Sequence, residues 1–406
     1  MTESDLLLTY ERIKEPFFTK RRFKHADLVK LLEKCSFQKE EIGESFEGRA
    51  IFKIKLGTGK KQVLLWSQMH GNEATATMAI FDILNFFADS SNSFVEDILT
   101  GLTLHFVPML NPDGAERFTR RTAQQIDMNR DALALVCPES KLLKKLQDEI
   151  KPAFSFNLHD QNVRYSAGAT KNQAAISFLA TAYNEATDWN ENRTRAMQVI
   201  CEMNAILQQI IPDKVGRFSD EFEPRAFGDN IQKWGSSLIL IESGGYGTDH
   251  EKMYLRKLNF LIILKALESI NKQTYKRREL VDYNAIPTNQ KCLFDLLIKN
   301  VKMDGEKVDI GINKDEVNID NATNYEFKSV VEDIGDMSTY WGIEEFDATG
   351  FELRPLAKFS EILTSYNVKK EDMGRLEFEK KANFALMKNG ELCHLVLNGE
   401  FVAVPS

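Results

Sequence analysis

Residues 62–87 read QVLLWSQMHGNEATATMAIFDILNFF. Gln62 to Gln68 is a short apolar run that follows the turn GTGKK, the mark of a buried strand. Asn72 to Phe87 is rich in Ala, Thr and large apolar residues and predicts a helix. The join between them, Met69-His70-Gly71-Asn72-Glu73, stands at the carboxyl end of a strand. Open α/β sheets keep their ligands there.

Working outward, the same alternation recurs. Lys24 to Cys35 has helical apolar spacing, and Arg49 to Leu56 alternates like a half-exposed strand. Thr103 to Met109 is a further strand, closed by the turn signal Asn111-Pro112-Asp113-Gly114. Phe154 to Leu158 is a third short strand, and one long helix is expected over residues 174–211. A polar loop, Gly216 to Asn230, leads to the apolar strand Ser237 to Ile241, and Glu251 to Asn271 closes with a helix. The pattern predicts an α/β domain, residues 1–275, with a mixed, mostly parallel sheet flanked by helices. The charged run KQTYKRRE from Lys272 to Glu279 breaks it. Residues 280–406 carry short alternating segments and two Asn-Gly pairs, Asn389-Gly390 and Asn398-Gly399, each a hairpin signal. They predict a small β-rich C-terminal domain.

Composition narrows the class. Hydrophobic residues make up 43% of the 406 and charged residues 28%, the values of an ordinary globular protein. The net charge of −8 argues against a nucleic-acid partner, which needs an excess of Lys and Arg on one face. No run of about 18 apolar residues is present to span a membrane, and the first residues show no signal-peptide pattern. The five cysteines are odd in number and scattered, which suits reduced thiols and a cytoplasmic location. Oligomeric state is not legible.

Four stretches carry chemistry. His70 and Glu73 lie three apart at a strand-to-helix turn, where both side chains can face one space. His159 closes the strand Phe156-Asn157-Leu158. Two imidazoles and one carboxylate form a zinc ligand set that leaves a position open for water. Alone, each motif is also what a packed histidine or a helix N-terminal acid would give. Glu242 ends the apolar run Leu238 to Ile241 and is a candidate general base. The segment NPDGAERFTRRTAQQIDMNRD, residues 111–131, reads as loop and gathers Arg117, Arg120, Arg121 and Arg130. Arginine suits bidentate carboxylate recognition or oxyanion stabilisation.

Taken in order, these stretches resemble the zinc metallocarboxypeptidases of the carboxypeptidase A type, over about residues 45–270. The resemblance rests on the H-x-x-E pair His70 and Glu73, Arg120, the pair Asn129 and Arg130, His159, and Glu242. Arg120 lies nine residues before Asn129, the family's spacing, and is preferred to Arg121. The resemblance implies one zinc ion on His70, Glu73 and His159, with Glu242 as the base that activates water. It implies Arg120 beside the developing oxyanion, and Asn129 with Arg130 holding the terminal carboxylate of a peptide. The implied reaction is release of a C-terminal amino acid. The family's digestive members carry a tyrosine before the catalytic glutamate, and here that loop, GRFSDEFEPRAFGDN, has none. It offers Arg225, either to favour an acidic leaving residue or to pair with a neighbouring acid. The alternative substrate is an N-acyl amino acid, because aspartoacylase and succinylglutamate desuccinylase share the H-x-x-E, the Asn-Arg and the second histidine. A binding module that had lost catalysis would show the loss at a ligand or the base, and all four are present.

Overall fold

A computed structural model describes residues 1–89, 91–366 and 368–404. The last two residues of the expected C-terminal domain lie outside the described residues. The chain forms two compact units. The first comprises Met1–Gly168 and Asn172–Gln290, and the second Lys291–Ser406 with Ala169–Lys171. The division falls at residue 290 rather than at 275–280. The reason is the helix Leu280–Asn284, whose Tyr283 is fully buried and accepts the Ala180 N–H at 3.0 Å through its hydroxyl.

The first unit holds strands β1 (Gln38–Glu44), β2 (Ala50–Leu56), β3 (Lys61–Ser67), β4 (Leu102–Val107), β5 (Phe154–Asp160), β6 (Ser166–Ala167), β7 (Ile176–Leu179), β8 (Val215–Arg217), β9 (Ser237–Ser243) and β10 (Asn289–Gln290). Eight of them make one mixed sheet in the order β1-β2-β4-β3-β5-β9-β7-β8, while β6 pairs with β10. The pairings β4/β3, β3/β5, β5/β9 and β7/β8 are parallel; β1/β2, β2/β4 and β7/β9 are antiparallel. Helices cover both faces, the arrangement that parallel strands require. On one face Leu64 and Trp66 of β3 pack with Leu143 and Leu146 of the helix Pro138–Ile150 and with Phe227 and Ile231 of the helix Phe227–Lys233. On the other, the long helix Met253–Lys272 packs against both Thr75–Phe87 and Glu191–Ile210.

One expectation fails here. Residues 174–211 are not a single helix: Ile176–Leu179 is the strand β7, and the helix begins at Glu191, capped by Asn190. The run from Ala174 to Ala182 has no polar face; Ala174, Ile176, Phe178 and Ala180 are all fully buried. A short apolar run of that kind suits a strand covered on both sides as well as a helix, and the place beside β9 decides. The polar loop is also shorter than expected, since Phe227–Lys233 is helical.

The second unit is β-rich. It contains β11 (Leu293–Met303), β12 (Glu306–Ile319), β13 (Asn324–Gly335), β14 (Trp341–Asp347), β15 (Glu352–Arg354), β16 (Phe384–Lys388), β17 (Glu391–Leu397) and β18 (Glu400–Val402). Their order is β13-β12-β11-β15-β16-β17-β18, with β14 also paired to β11. Ile298, Ile310, Val331, Phe384 and Val396 form its core. Both Asn-Gly pairs take positive φ: +53° and +84° at Asn389 and Gly390, +51° and +74° at Asn398 and Gly399. Those are the dihedrals a type I′ hairpin needs. Among the described residues of either unit, no helix is long and apolar enough to cross a membrane.

A buried ion pair and a separate buried acid of the first unit have measurable consequences. Arg256 and Asp82 form a fully buried pair at 2.5 Å, and Arg256 also donates to the carbonyls of Phe18 and Glu15. Removing one partner strands the other, so Arg256→Met should cost about 3–5 kcal/mol in a urea denaturation series. The double change Arg256→Met with Asp82→Leu should recover most of that loss; no recovery would contradict the pairing account. Asp229, 6% exposed in the first turn of Phe227–Lys233, has its carboxyl pushed up to about 7 by burial. A raised acid pKa means the folded chain holds a proton that the unfolded chain releases near 3.8. Stability therefore falls as pH rises through that window and levels off above about 7. Asp229→Asn should raise the thermal midpoint at pH 8 and leave it unchanged at pH 4; an equal shift at both would refute this.

Candidate metal centre

The centre is built at the carboxyl ends of three adjacent parallel strands. β3, β5 and β9 lie side by side, with Ser67 level with Leu158 and His159 level with Glu242. The chain leaves β3 through Gln68, whose φ of +46° is a left-handed turn at a non-glycine residue. Such a conformation costs of order 1 kcal/mol or more and needs support. Its carbonyl accepts the Asn111 N–H at 2.9 Å, its Nε2 donates to the Gly71 carbonyl at 2.9 Å, and its Oε1 accepts from the Thr77 hydroxyl at 2.8 Å. The turn continues with the Glu73 N–H bonded to the His70 carbonyl, so the regular helix starts only at Thr75. Gly71 is obligatory, because a Cβ there would lie 1.9 Å from the Gly114 carbonyl carbon.

That contact explains Asn111-Pro112-Asp113-Gly114. It is the start of a short helix, Pro112–Arg117, and not the loop read from the sequence. Asn111 caps it by accepting the Gly114 N–H at 2.9 Å, and proline takes the first turn, where a missing N–H costs nothing. The Asn111 Nδ2 also donates to the Met69 carbonyl, next to His70.

His70, Glu73 and His159 are all buried and offer ligand atoms within 4.8 Å of one another. His70 Nδ1 lies 2.8 Å from Glu73 Oε1, and His159 Nδ1 lies 2.7 Å from Glu73 Oε2. The two rings are 4.8 Å apart. The other nitrogen of His70, Nε2, is 3.1 Å from Asp127 Oδ1. A carboxylate on Nε2 favours the proton there and leaves the Nδ1 lone pair facing Glu73 and His159. Two imidazole nitrogens and a carboxylate turned toward one point are a donor set that suits a zinc ion, so the residues fit the metal.

The electrostatics agree. Burial pushes the Glu73 carboxyl up, but His70 and His159 outweigh it and hold it well below the usual carboxylate range. Burial likewise opposes protonation of His70, and Glu73 with Asp127 overcomes it, raising that pKa. Asp127 is held low by His70 and Arg120 against the penalty of burial. Glu242, half-buried beside His159, goes the other way: burial raises its pKa, and Glu73 and Asp160 add to the rise while His159 opposes it.

Arg120 reaches this centre. Its Nη1 lies 3.0 Å from His70 Nδ1 and 3.4 Å from Glu73 Oε1, and its Nε and Nη2 bind Asp127 Oδ2 at 3.0 and 2.9 Å. Arg121 turns away to the Gln125 carbonyl. Asn129 and Arg130 follow Asp127 on a single 3-10 turn. The Asn129 Oδ1 accepts the Phe227 N–H at 3.0 Å, and Arg130 Nε meets Glu223 Oε2 at 3.2 Å. Arg225 is gripped by the same carboxylate, Nε to Oε1 at 3.0 Å and Nη2 to Oε2 at 2.9 Å. Of the two roles open to Arg225 in the sequence, this is the pairing with a neighbouring acid. Glu223 is one of three acids just before Arg225 in its loop, with Asp220 and Glu221, whereas Asp127 is not among the candidates read from the sequence. For Asp127 a signal existed: an acid two residues before an Asn-Arg pair, in a segment already crowded with arginine.

Comparison with known proteins follows this geometry. Residues 25–138 match the zinc carboxypeptidase family. Over 141 residues the chain is 28% identical to carboxypeptidase Z of Gallus gallus, covering 27% of this chain and 22% of that protein. Over 78 residues it is 33% identical to carboxypeptidase B of Astacus astacus, covering 18% and 25% respectively. The chain thus spans about a quarter of the length of these relatives. A metallo-carboxypeptidase from Burkholderia cenocepacia superposes with a TM-score of 0.49 at 17% identity, over 62% of this chain and 69% of that one. The N-acyl amino acid alternative is not favoured by these matches. The stretch that matches the zinc carboxypeptidase family, residues 25–138, carries His70, Glu73, Arg120, Asn129 and Arg130.

Proposed function

We propose that the first unit is a zinc-dependent carboxypeptidase that removes the C-terminal amino acid of a peptide. The observation that carries this reading is the convergence of His70 Nδ1, His159 Nδ1 and the Glu73 carboxylate, with Glu242 in register beside His159. His70, Glu73 and His159 would hold one zinc ion. Zinc in such a set supplies Lewis-acid polarisation of a carbonyl and lowers the pKa of water toward neutrality.

The rest is the work of the chain. Glu242, made more basic by burial and its acidic neighbours, takes a proton from the water that attacks the scissile carbonyl carbon. It returns that proton to the amine nitrogen as the C–N bond breaks. Arg120, held by Asp127, stabilises the negative oxygen that develops. Asn129 and Arg130 bind the terminal carboxylate and so admit only the last amide bond. Glu223 grips Arg225 and Arg130 together and sets how far Arg130 is available. We further read the chain as cytoplasmic, an expectation supported by five cysteines that all stand as thiols.

The deciding experiment screens C-terminal release from a peptide library, with a chelated control and N-acyl amino acids beside it. Zinc-dependent release of terminal residues is expected; release of acyl groups alone would overturn the reading. Glu242→Gln should retain bound zinc and lose about 10²–10⁴-fold in kcat. A variant that keeps wild-type turnover would remove Glu242 from its role. Arg225→Ala leaves Glu223 free to engage Arg130 more fully, so KM should rise by the same factor for acidic and neutral terminal residues. A rise confined to acidic substrates would mean that Arg225 reads the leaving side chain directly.

A further inference from the structure

One buried ion pair behind the ligands is not used by the proposed chemistry. Lys252 lies just before the helix Met253–Lys272, and its side chain is 4% exposed. The side chain of Asp160 is 6% exposed, and the Lys252 ammonium lies 3.4 Å from its Oδ2. Taking two charges out of water costs several kcal/mol per ion before their attraction offsets any of it. Apolar residues of similar size would fill the same space more cheaply, so packing alone does not explain the pair.

The connections of the pair do. Lys252 Nζ also donates to the Ser243 carbonyl at 2.8 Å, and Ser243 directly follows Glu242. Asp160 directly follows His159. Its Oδ2 accepts from the Thr75 hydroxyl at 2.7 Å, two residues beyond Glu73, and its N–H donates to Glu73 Oε2 at 3.2 Å. The end of β5, the end of β9 and the start of the helix Thr75–Phe87 are therefore tied to one ion pair. Two of the ties are made beside a residue of the site, at Ser243 and Thr75, and the third reaches Glu73 itself through the Asp160 N–H.

We propose that Lys252 and Asp160 are positioning residues that hold Glu73, His159 and Glu242 in mutual register for metal binding and proton transfer. The inference rests on the zinc carboxypeptidase reading. It extends that reading to a lysine no ligand motif would select.

The test compares wild type, Lys252→Met, Lys252→Arg, Asp160→Asn and the double variant Lys252→Leu with Asp160→Leu, all in the full chain. Three quantities are measured: affinity for zinc alone by competition with a chelating dye, kcat and KM on an N-blocked dipeptide, and the thermal midpoint. Lys252→Met and Asp160→Asn should each lose about 10–100-fold in zinc affinity or kcat, the usual effect of removing a partner that orients a metal ligand. KM should not change, because Asn129 and Arg130 hang on other segments. Lys252→Arg, which keeps the cation, should recover part of the loss. The double variant should regain stability, since a buried pair can be exchanged for apolar side chains without penalty, and should remain defective. The proposal is overturned if the single variants keep wild-type zinc affinity and kcat, or if the double variant regains both along with its stability. If wild type binds zinc but cleaves no blocked dipeptide, the carboxypeptidase reading falls and the zinc arm still decides the positioning role. If wild type binds no zinc, both fall.

Discussion

Everything about the centre depends on the parallel register of β3, β5 and β9. Parallel neighbours end on the same edge of a sheet, so three segments distant in sequence deliver their last residues to one place. Because His159 and Glu242 are level, a candidate ligand and a candidate base sit side by side without any loop to place them. The strands are apolar on both faces because helices cover both, and this burial raises the pKa of Asp160 and Glu242 at their ends. Glu73 and Glu242 show the two outcomes. The same loss of water acts on both, and whether imidazoles or carboxylates face the group decides which charge state survives.

The supporting structure is unusually polar for so buried a place. Asp127 fixes one imidazole, Arg120 bridges Asp127 and Glu73, and Asp160 joins Glu73 to Lys252. Asp127 and Glu73 flank the Arg120 cation, and Asp160, which meets Glu73 through its N–H, turns its own carboxylate to Lys252. The arrangement is therefore rigid in composition as well as in shape: the loss of one member unbalances the next.

Much of this was legible in the sequence where chemistry and secondary structure coincide. His70, His159 and Glu242 each stand at the end of an apolar run, so strand periodicity placed them at the strand ends, and the resemblance of the ordered set assigned their roles. Arg120 followed from the spacing to Asn129 that the resemblance implies. What stayed hidden had no pattern to reveal it. Asp127 is one acid in a charged loop, and only its distance to His70 distinguishes it from its neighbours. Lys252 and Asp160 are far apart in the chain, and a lysine before a helix looks like any solvated end. The run Ala174 to Ala182 misled for the opposite reason: uniformly apolar residues fit a helix and a covered strand equally, and the place beside β9 decides between them.

The crossing at Gly71 and Gly114 has a consequence of its own. Two glycines from different segments touch backbone to backbone, so the turn that bears His70 and Glu73 is shaped against the Asn111-capped helix. Two of the three candidate ligands are local to that turn, and the third, His159, comes from the end of β5. The unfolded chain therefore contains no preformed cage. An ion held by all three would bind the native state alone, and its binding would shift the folding equilibrium toward the folded form. Metal supply would then be a determinant of how much folded protein persists.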